Sequence, residues 1–367
     1  MSTPRGAGPG GVRGQHAEPS ASALLGLHGD TTDEELRALG VDPERVLDLS
    51  VNVSPFGVAP AVRAAIAQAD LSRYPDKQGL AARRALAERD RVSLPEVLLG
   101  HGAAELIWTA TRALSTPGDT LLLSSPTFSE PEAAARAHGL TVVHCEARAS
   151  EGFEPSAERL DAALRTHRPR LLYVCQPNNP TGRALPHAAL SELVAQHPDT
   201  TFLIDQAFLS LSELAADASL RFGRNALLLR SLTKDHALAG LRVAYALGEP
   251  ATLERLRRAR PPWSLSSMAL AAATAAAAED AFIESVRARW LAQRVELEAL
   301  LRAAGLRFVP SRTVFLLIEV ADADATRTRL LREAGILVRS GTSFGLPGHI
   351  RVRASDDNAR LVRALLT

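Results

Sequence analysis

An α/β fold is predicted: a large, mostly parallel-sheet domain followed by a smaller α+β C-terminal domain. Three observations predict it. From about residue 70 to 250, short apolar runs alternate with helix-length segments; buried strands of a parallel sheet, joined by helices, have this pattern. The chain has 367 residues, enough for about two domains at roughly 150 residues each. After Pro261-Pro262 the order becomes long helix, strand, helix, strand, helix, which is α+β.

Along the chain, residues 1–20 are rich in Gly, Pro, Ser and Ala and carry no periodicity; they read as a disordered arm. Arg5 and Arg13 precede no apolar stretch, so no signal peptide is read there. Leu80–Arg91 has the spacing of an amphipathic helix, and Glu105–Leu114 that of another. Thr120–Leu123, Leu140–His144, Leu171–Cys175, Thr201–Ile204, Ala226–Leu229 and Val243–Leu247 are the expected strands. A helical stretch is expected over 266–304, then a strand at Thr313–Val320, a helix at Ala325–Ala334 and a strand at Ile350–Arg353. Met268–Ala278 is the longest apolar run, too short and too Ala-rich to span a bilayer.

Composition excludes several classes. Apolar residues are 46% and charged residues 23%, ordinary globular values. The net charge of +1 argues against a nucleic-acid or membrane-surface binder. Cys145 and Cys175 make no disulfide framework, which points to a reducing, cytoplasmic home. No HxxxH or paired-cysteine spacing is present, so no metal site is expected. The basic residues are the informative ones. Of 42, only Lys77 and Lys234 are lysines. Where charge alone is needed, arginine stands; a retained lysine is therefore a candidate for chemistry a guanidinium cannot do, such as condensing with a carbonyl.

Five motifs could carry chemistry. Ser231-Leu232-Thr233-Lys234 follows the strand Ala226–Leu229, with Arg242 eight residues on; strand C-termini are where α/β proteins bind ligands, and hydroxyls with an arginine suit a phosphate. Asp205 ends the strand Thr201–Ile204, where it is either a turn cap or the partner of a cationic ring nitrogen. Gln176-Pro177-Asn178-Asn179-Pro180-Thr181-Gly182 is a rigid turn carrying two amide side chains, and the most specific signal in the chain. Gly100-His101-Gly102-Ala103-Ala104-Glu105 imitates a dinucleotide fingerprint. Glu105 at the third glycine's place speaks against a pyrophosphate and for a single-phosphate cup at a helix N-terminus. Arg339, Arg351 and Arg353 near strands could grip carboxylate or phosphate, or simply be solvated.

Taken together these motifs resemble the class I/II aminotransferase family of pyridoxal-phosphate enzymes, fold type I, from about residue 28 onward. The resemblance implies the cofactor pyridoxal 5'-phosphate. It implies Lys234 as the lysine that condenses with the cofactor's aldehyde and Asp205 as partner of its ring nitrogen. Asn179 and Phe208 would lie by the ring hydroxyl, and Phe128 would stack on the ring. Ala103, Ala104, Ser231, Thr233 and Arg242 would cup the phosphate, joined by Tyr74 from a second subunit of a homodimer. For the substrate it implies Arg351, with Arg353 the competing choice, at the carboxylate, Arg339 and His28 at a substrate phosphate, and Asn52 beside them. It also implies an N-terminal segment, 21–65, packing on the small domain, with the large domain at 66–262 and the small one at 263–367.

Within the family, two subfamilies are similar to this chain: L-threonine-O-3-phosphate decarboxylase of corrinoid (cobalamin) synthesis and histidinol-phosphate aminotransferase. The stretches Leu47–Gly57, Arg230–Lys234, Pro262–Ser264 and Ile336–Ser340 resemble the decarboxylase more, as does Phe208 where many members have tyrosine. The expectation is therefore a decarboxylase acting on a small phosphorylated amino substrate, with the aminotransferase as alternative.

Overall fold

The structure, a computed structural model, describes residues 31–367. The arm expected at residues 1–20 and the candidate His28 lie outside the described residues.

β1 (Leu47–Asp48) precedes the main sheet. That sheet contains β2 (Val97–Gly100), β3 (Thr120–Ser125), β4 (Thr141–Glu146), β5 (Leu171–Cys175), β6 (Thr201–Asp205), β7 (Ala226–Ser231) and β8 (Ala244–Leu247), in the order β2-β8-β7-β6-β5-β3-β4. β4, β3, β5, β6 and β7 run parallel; β8 is antiparallel to β7 and β2. All six expected strands form. The central ones are apolar because both faces are covered. Leu172, Val174, Phe202, Ile204 and Leu228 enter one core, while Leu171, Tyr173, Leu203, Leu227 and Leu229 enter the other. This strict alternation puts Tyr173, Cys175 and Asp205 on one face, the face covered by the helix Gly102–Leu114.

The C-terminal half has a sheet of β9 (Phe308–Val309), β10 (Phe315–Glu319), β12 (Arg339–Ser340) and β13 (His349–Arg353), antiparallel in the order β12-β13-β10-β9. β11 (Ile336–Leu337) instead pairs in parallel with β1. Helices Asp280–Ala303, Ala323–Ala334 and Asn358–Leu366 cover this sheet around Trp290, Leu297, Phe315, Leu330 and Leu361. The Trp290 indole N–H donates to the Ala354 carbonyl at 2.9 Å, so the buried ring leaves no polar atom stranded.

Two expectations change. The helical stretch over 266–304 is two helices, Ser267–Ala276 and Asp280–Ala303, with a turn between. No proline or glycine marks that break; packing does. Ala269, Ala272, Ala273 and Ala276 enter a core of the large sheet, whereas Val286, Trp290 and Leu297 enter the C-terminal core. The first of these helices thus packs with the large half, past Pro262. The N-terminal segment is also divided. Leu36 packs with Leu331 and Leu337, and β1 joins β11, while Ala59 and Val62 enter the large core.

Candidate active site

The C-terminal ends of β5, β6 and β7 bring the site together. Asp205 closes β6 and is buried. The Tyr173 hydroxyl donates to its Oδ2 at 2.7 Å, and the Ala207 N–H donates to its Oδ1 at 2.9 Å. Burial pushes the carboxyl's pKa up; these two hydrogen bonds and the Lys234 charge oppose it. Gln206 points elsewhere and accepts from the Arg230 guanidinium at 3.1 Å. Phe208 stands edge-on to Phe315 at 4.9 Å.

Lys234 follows β7 in a turn pinned by its own hydroxyls: Ser231 and Thr233 share a 2.6 Å hydrogen bond, and the Thr233 N–H donates to Ser231 Oγ at 3.2 Å. The Lys234 carbonyl accepts from the Ser54 N–H at 2.9 Å, which ties the N-terminal segment to the lysine turn. Burial first, then the Arg351 and Arg242 charges, depress the Lys234 amine to about 8; Asp205 pulls the other way. A lysine so placed has a reactive neutral form near physiological pH.

Arg242 sits at φ 52°, and its guanidinium lies against the N-terminus of helix Gly102–Leu114. Gly102 has φ 81°, and a Cβ there would stand 2.8 Å from Arg242 Nη2. The glycine is required twice, for its backbone and for that approach. Ala103 and Ala104 form the first turn, so free N–H groups and a guanidinium converge where a phosphate would be held. Glu105, the odd residue of the fingerprint, is turned aside. It accepts from the His101 N–H at 3.0 Å and pairs with Arg260 at 3.0 Å.

The two asparagines of the proline turn divide their work. Asn178 is structural. Its amide donates to the Pro126 carbonyl at 2.8 Å and to Thr181 Oγ1 at 2.9 Å, and it accepts from Thr127 at 2.8 Å. It thereby fixes the Pro126-Thr127-Phe128 loop. Asn179 is left to the site, where its Oδ1 accepts from Arg351 Nη1. A cavity of about 540 Å³ opens over the Pro126-Thr127-Phe128 loop, walled by Ser125, Phe128, Phe153, Ser343 and Phe344.

Arg351 on β13 is directly opposite Arg339 on β12. Arg351 also donates to the Ser50 carbonyl, while its Nε is buried without a partner. Burial and Arg339 hold its pKa down near 9; burial and Arg327 hold Arg339 near 10. Arg339 donates to Ser343 Oγ at 2.7 Å. Asp48 is the nearby acid of both Arg351 and Arg353; of the two arginines, Arg351 is the one bonded to Asn179 in the turn. Asn52 is buried with both side-chain amide atoms unpartnered. Tyr74 lies outside this pocket, 81% exposed and stacked on Trp263 at 4.8 Å. Sequence reasoning missed Tyr173. The available signal was one phenol in the aliphatic strand Leu171–Cys175, since a buried tyrosine needs a partner for its hydroxyl.

The donor set fits pyridoxal phosphate. A buried carboxylate suits a cationic ring nitrogen, a depressed amine suits an aldehyde, and a helix N-terminus with an arginine suits a phosphate. Arg339 and Arg351, buried on adjacent strands, also suit anionic ligands, and Arg351 Nε and the Asn52 amide are buried there without a hydrogen-bond partner. Independent comparison agrees: the sequence profile of the family described as "Aminotransferase class I and II" matches residues 44–365. The chain belongs to that family. It is an enzyme, with pyridoxal phosphate as cofactor and the type I fold. Histidinol-phosphate aminotransferase 2 of Pseudomonas aeruginosa is 33% identical over 363 residues, 95% of this chain and 96% of the relative. The Sinorhizobium meliloti histidinol-phosphate aminotransferase, solved with pyridoxal-5'-phosphate, superposes with TM-score 0.81 at 24% identity, covering 96% of each chain. L-threonine-O-3-phosphate decarboxylase of Porphyromonas gingivalis superposes with TM-score 0.75 at 24% identity, covering 88% of this chain and 98% of that one. Likeness at that level speaks to fold. Among the described residues no helix is long and apolar enough to cross a membrane, and no cluster of metal ligands occurs.

Proposed function

We propose that this enzyme is an aminotransferase for a small phosphorylated amino substrate, histidinol phosphate first among them. The observation that carries the reading is the pair Arg339 and Arg351, opposite each other on adjacent strands, with Arg351 bonded to Asn179 and felt at Lys234. Two buried guanidiniums side by side suit a substrate that brings negative charge, such as a phosphate. The order of the two subfamilies changes from the sequence-based expectation. The curated relatives reach 33% identity and are named histidinol-phosphate aminotransferases; the decarboxylase rests on short motifs, Phe208 and a fold likeness at 24%. A place in corrinoid synthesis recedes with it.

In this reading Lys234 would hold the cofactor through its aldehyde carbon, and Asp205 would hold the cofactor's ring nitrogen as a cation. Bound pyridoxal phosphate supplies a sink for the electron pair released when a bond at Cα breaks. The Lys234 amine would take and return the proton at the substrate Cα, a role its depressed pKa allows. Arg242, the first turn at Ala103 and Ala104, and the Ser231 and Thr233 hydroxyls hold the cofactor phosphate. Phe128 would stack on the ring, and Asn179, with Phe208, would lie by the ring hydroxyl, the asparagine offering its amide N–H there. Arg351 orients the substrate carboxylate, Arg339 takes the substrate phosphate, and Asn52 supplies the amide that has no other partner. Tyr74 acts across a homodimer, where a second copy covers the exposed Leu71, Tyr74 and Trp263.

The test is a two-arm assay. Purified enzyme with histidinol phosphate and 2-oxoglutarate yields glutamate, while threonine phosphate releases no carbon dioxide. Carbon dioxide from threonine phosphate, with no amino transfer, reverses the order.

A further inference from the structure

We infer that Tyr173 is a positioning residue that keeps Asp205 ionised and aimed at the cofactor's ring nitrogen. The inference rests on the proposed pairing of Asp205 with that nitrogen and adds a residue to it.

The geometry is a closed set around one carboxylate. Tyr173 and Asp205 lie on neighbouring parallel strands, β5 and β6, on the same face of the sheet. The phenol is fully buried and bonds to Oδ2 at 2.7 Å; the Ala207 N–H bonds to Oδ1 at 2.9 Å. Each carboxylate oxygen thus has one donor and keeps a lone pair. The other polar side chain close to the phenol, Cys175, lies on the same face of β5 and is also buried. Burial pushes Tyr173 and Cys175 both well above their ordinary pKa values, so both stay neutral. Tyr173 therefore stays a donor; its hydroxyl proton goes to Asp205 Oδ2 at 2.7 Å, with the weaker sulfur acceptor of Cys175, whose own thiol donates to the Pro177 carbonyl at 3.3 Å, as its other neighbour.

A hydroxyl donated to the charged form of a buried acid favours that form, against the desolvation that favours the neutral one. It also fixes the torsion of the carboxylate, because Oδ1 and Oδ2 are bonded to different elements. Without the phenol, one oxygen of a buried anion would stand bare. The acid would then shift toward its protonated form, and a protonated Asp205 cannot hold a ring nitrogen as a cation. The remaining ring contacts of Tyr173 are apolar and survive replacement by phenylalanine.

The experiment compares wild type with Tyr173→Phe and Asp205→Asn, each reconstituted with pyridoxal phosphate labelled with nitrogen-15 in the ring. The nitrogen resonance reports protonation directly. Wild type is expected at the pyridinium position. Tyr173→Phe is expected to move toward the neutral-pyridine position, bind the cofactor about 10-fold more weakly, and lose about 10- to 100-fold in kcat with the KM of the amino substrate nearly unchanged. Asp205→Asn is expected at the neutral position. If Asp205→Asn moves the resonance and Tyr173→Phe does not, the positioning role is wrong and the Asp205 pairing stands. If neither moves it, the pairing itself is wrong. Should Tyr173→Phe fail to fold, wild-type chain carrying 3-fluorotyrosine decides. Its three fluorine resonances are assigned with Tyr74→Phe and Tyr245→Phe. The Tyr173 resonance is expected to move when pyridoxal phosphate is added to the apoenzyme, and an unmoved resonance overturns the inference.

Discussion

Lys234 titrates near 8 rather than near 10.5, because the fold buries it and sets Arg351 and Arg242 around it. Only the neutral amine condenses with an aldehyde. The rate at which apoenzyme takes up pyridoxal phosphate should therefore rise through about pH 8 and level off above; a rise centred near 10.5 would contradict the depressed value. The same shift has a stability consequence with a definite sign. Between about 8 and 10.5 the unfolded chain binds this proton and the folded chain does not, so folding gains from rising pH across that window. Thermal melts of apoenzyme should show wild type gaining on Lys234→Met from pH 8 to 10. Arg351→Lys keeps a charge but loses the fork that reaches both Asn179 and Ser50. A loss of about 10- to 100-fold in affinity for the amino substrate is expected, read as a raised KM with the cofactor's visible band retained. The chemistry-bearing residues were legible because lysine is rare in this chain and the turn Gln176–Gly182 is specific. Tyr173 was not, since nothing in a strand's sequence says which neighbouring strand its hydroxyl will meet.

At the scale of elements, the cup at the start of helix Gly102–Leu114 depends on one missing side chain. Gly102→Ala would put a methyl 2.8 Å from Arg242 Nη2 at a backbone angle of φ 81°. Arg242 would have to withdraw from the helix N-terminus, and about a 10-fold or greater loss in cofactor affinity is expected, with little change in secondary structure by circular dichroism. Affinity equal to wild type would mean the phosphate binds elsewhere. Strand positions were legible here because doubly covered strands are long apolar runs. The two-residue strands β1, β9, β11 and β12 were not, since a run of two residues has no period to detect. The break at Ala277–Glu279 was equally hidden. Its cause is that one helix serves the large core and the next the C-terminal core, a tertiary division imposed on continuous helix-forming sequence.

Across the whole molecule, the site is a meeting of three separate stretches of chain. Asn179 and Lys234 come from the large sheet, Arg351 from the C-terminal sheet, and Ser50 and Ser54 from the N-terminal segment that binds both. The proposed homodimer should sediment at twice the 39.1 kDa chain mass, and Tyr74→Ala should weaken cofactor binding although Tyr74 lies on the outer surface of its own chain. A monomer with full activity would remove the role given to Tyr74. The central claim is that one amine, at position 234, carries the cofactor, and the chain's two lysines make it unusually clean to test. Loaded enzyme is reduced with borohydride, digested and mapped by mass spectrometry. The phosphopyridoxyl mass is expected on the peptide holding Lys234 and not on Lys77; the modification on Lys77, or on neither lysine, would overturn the assignment of Lys234.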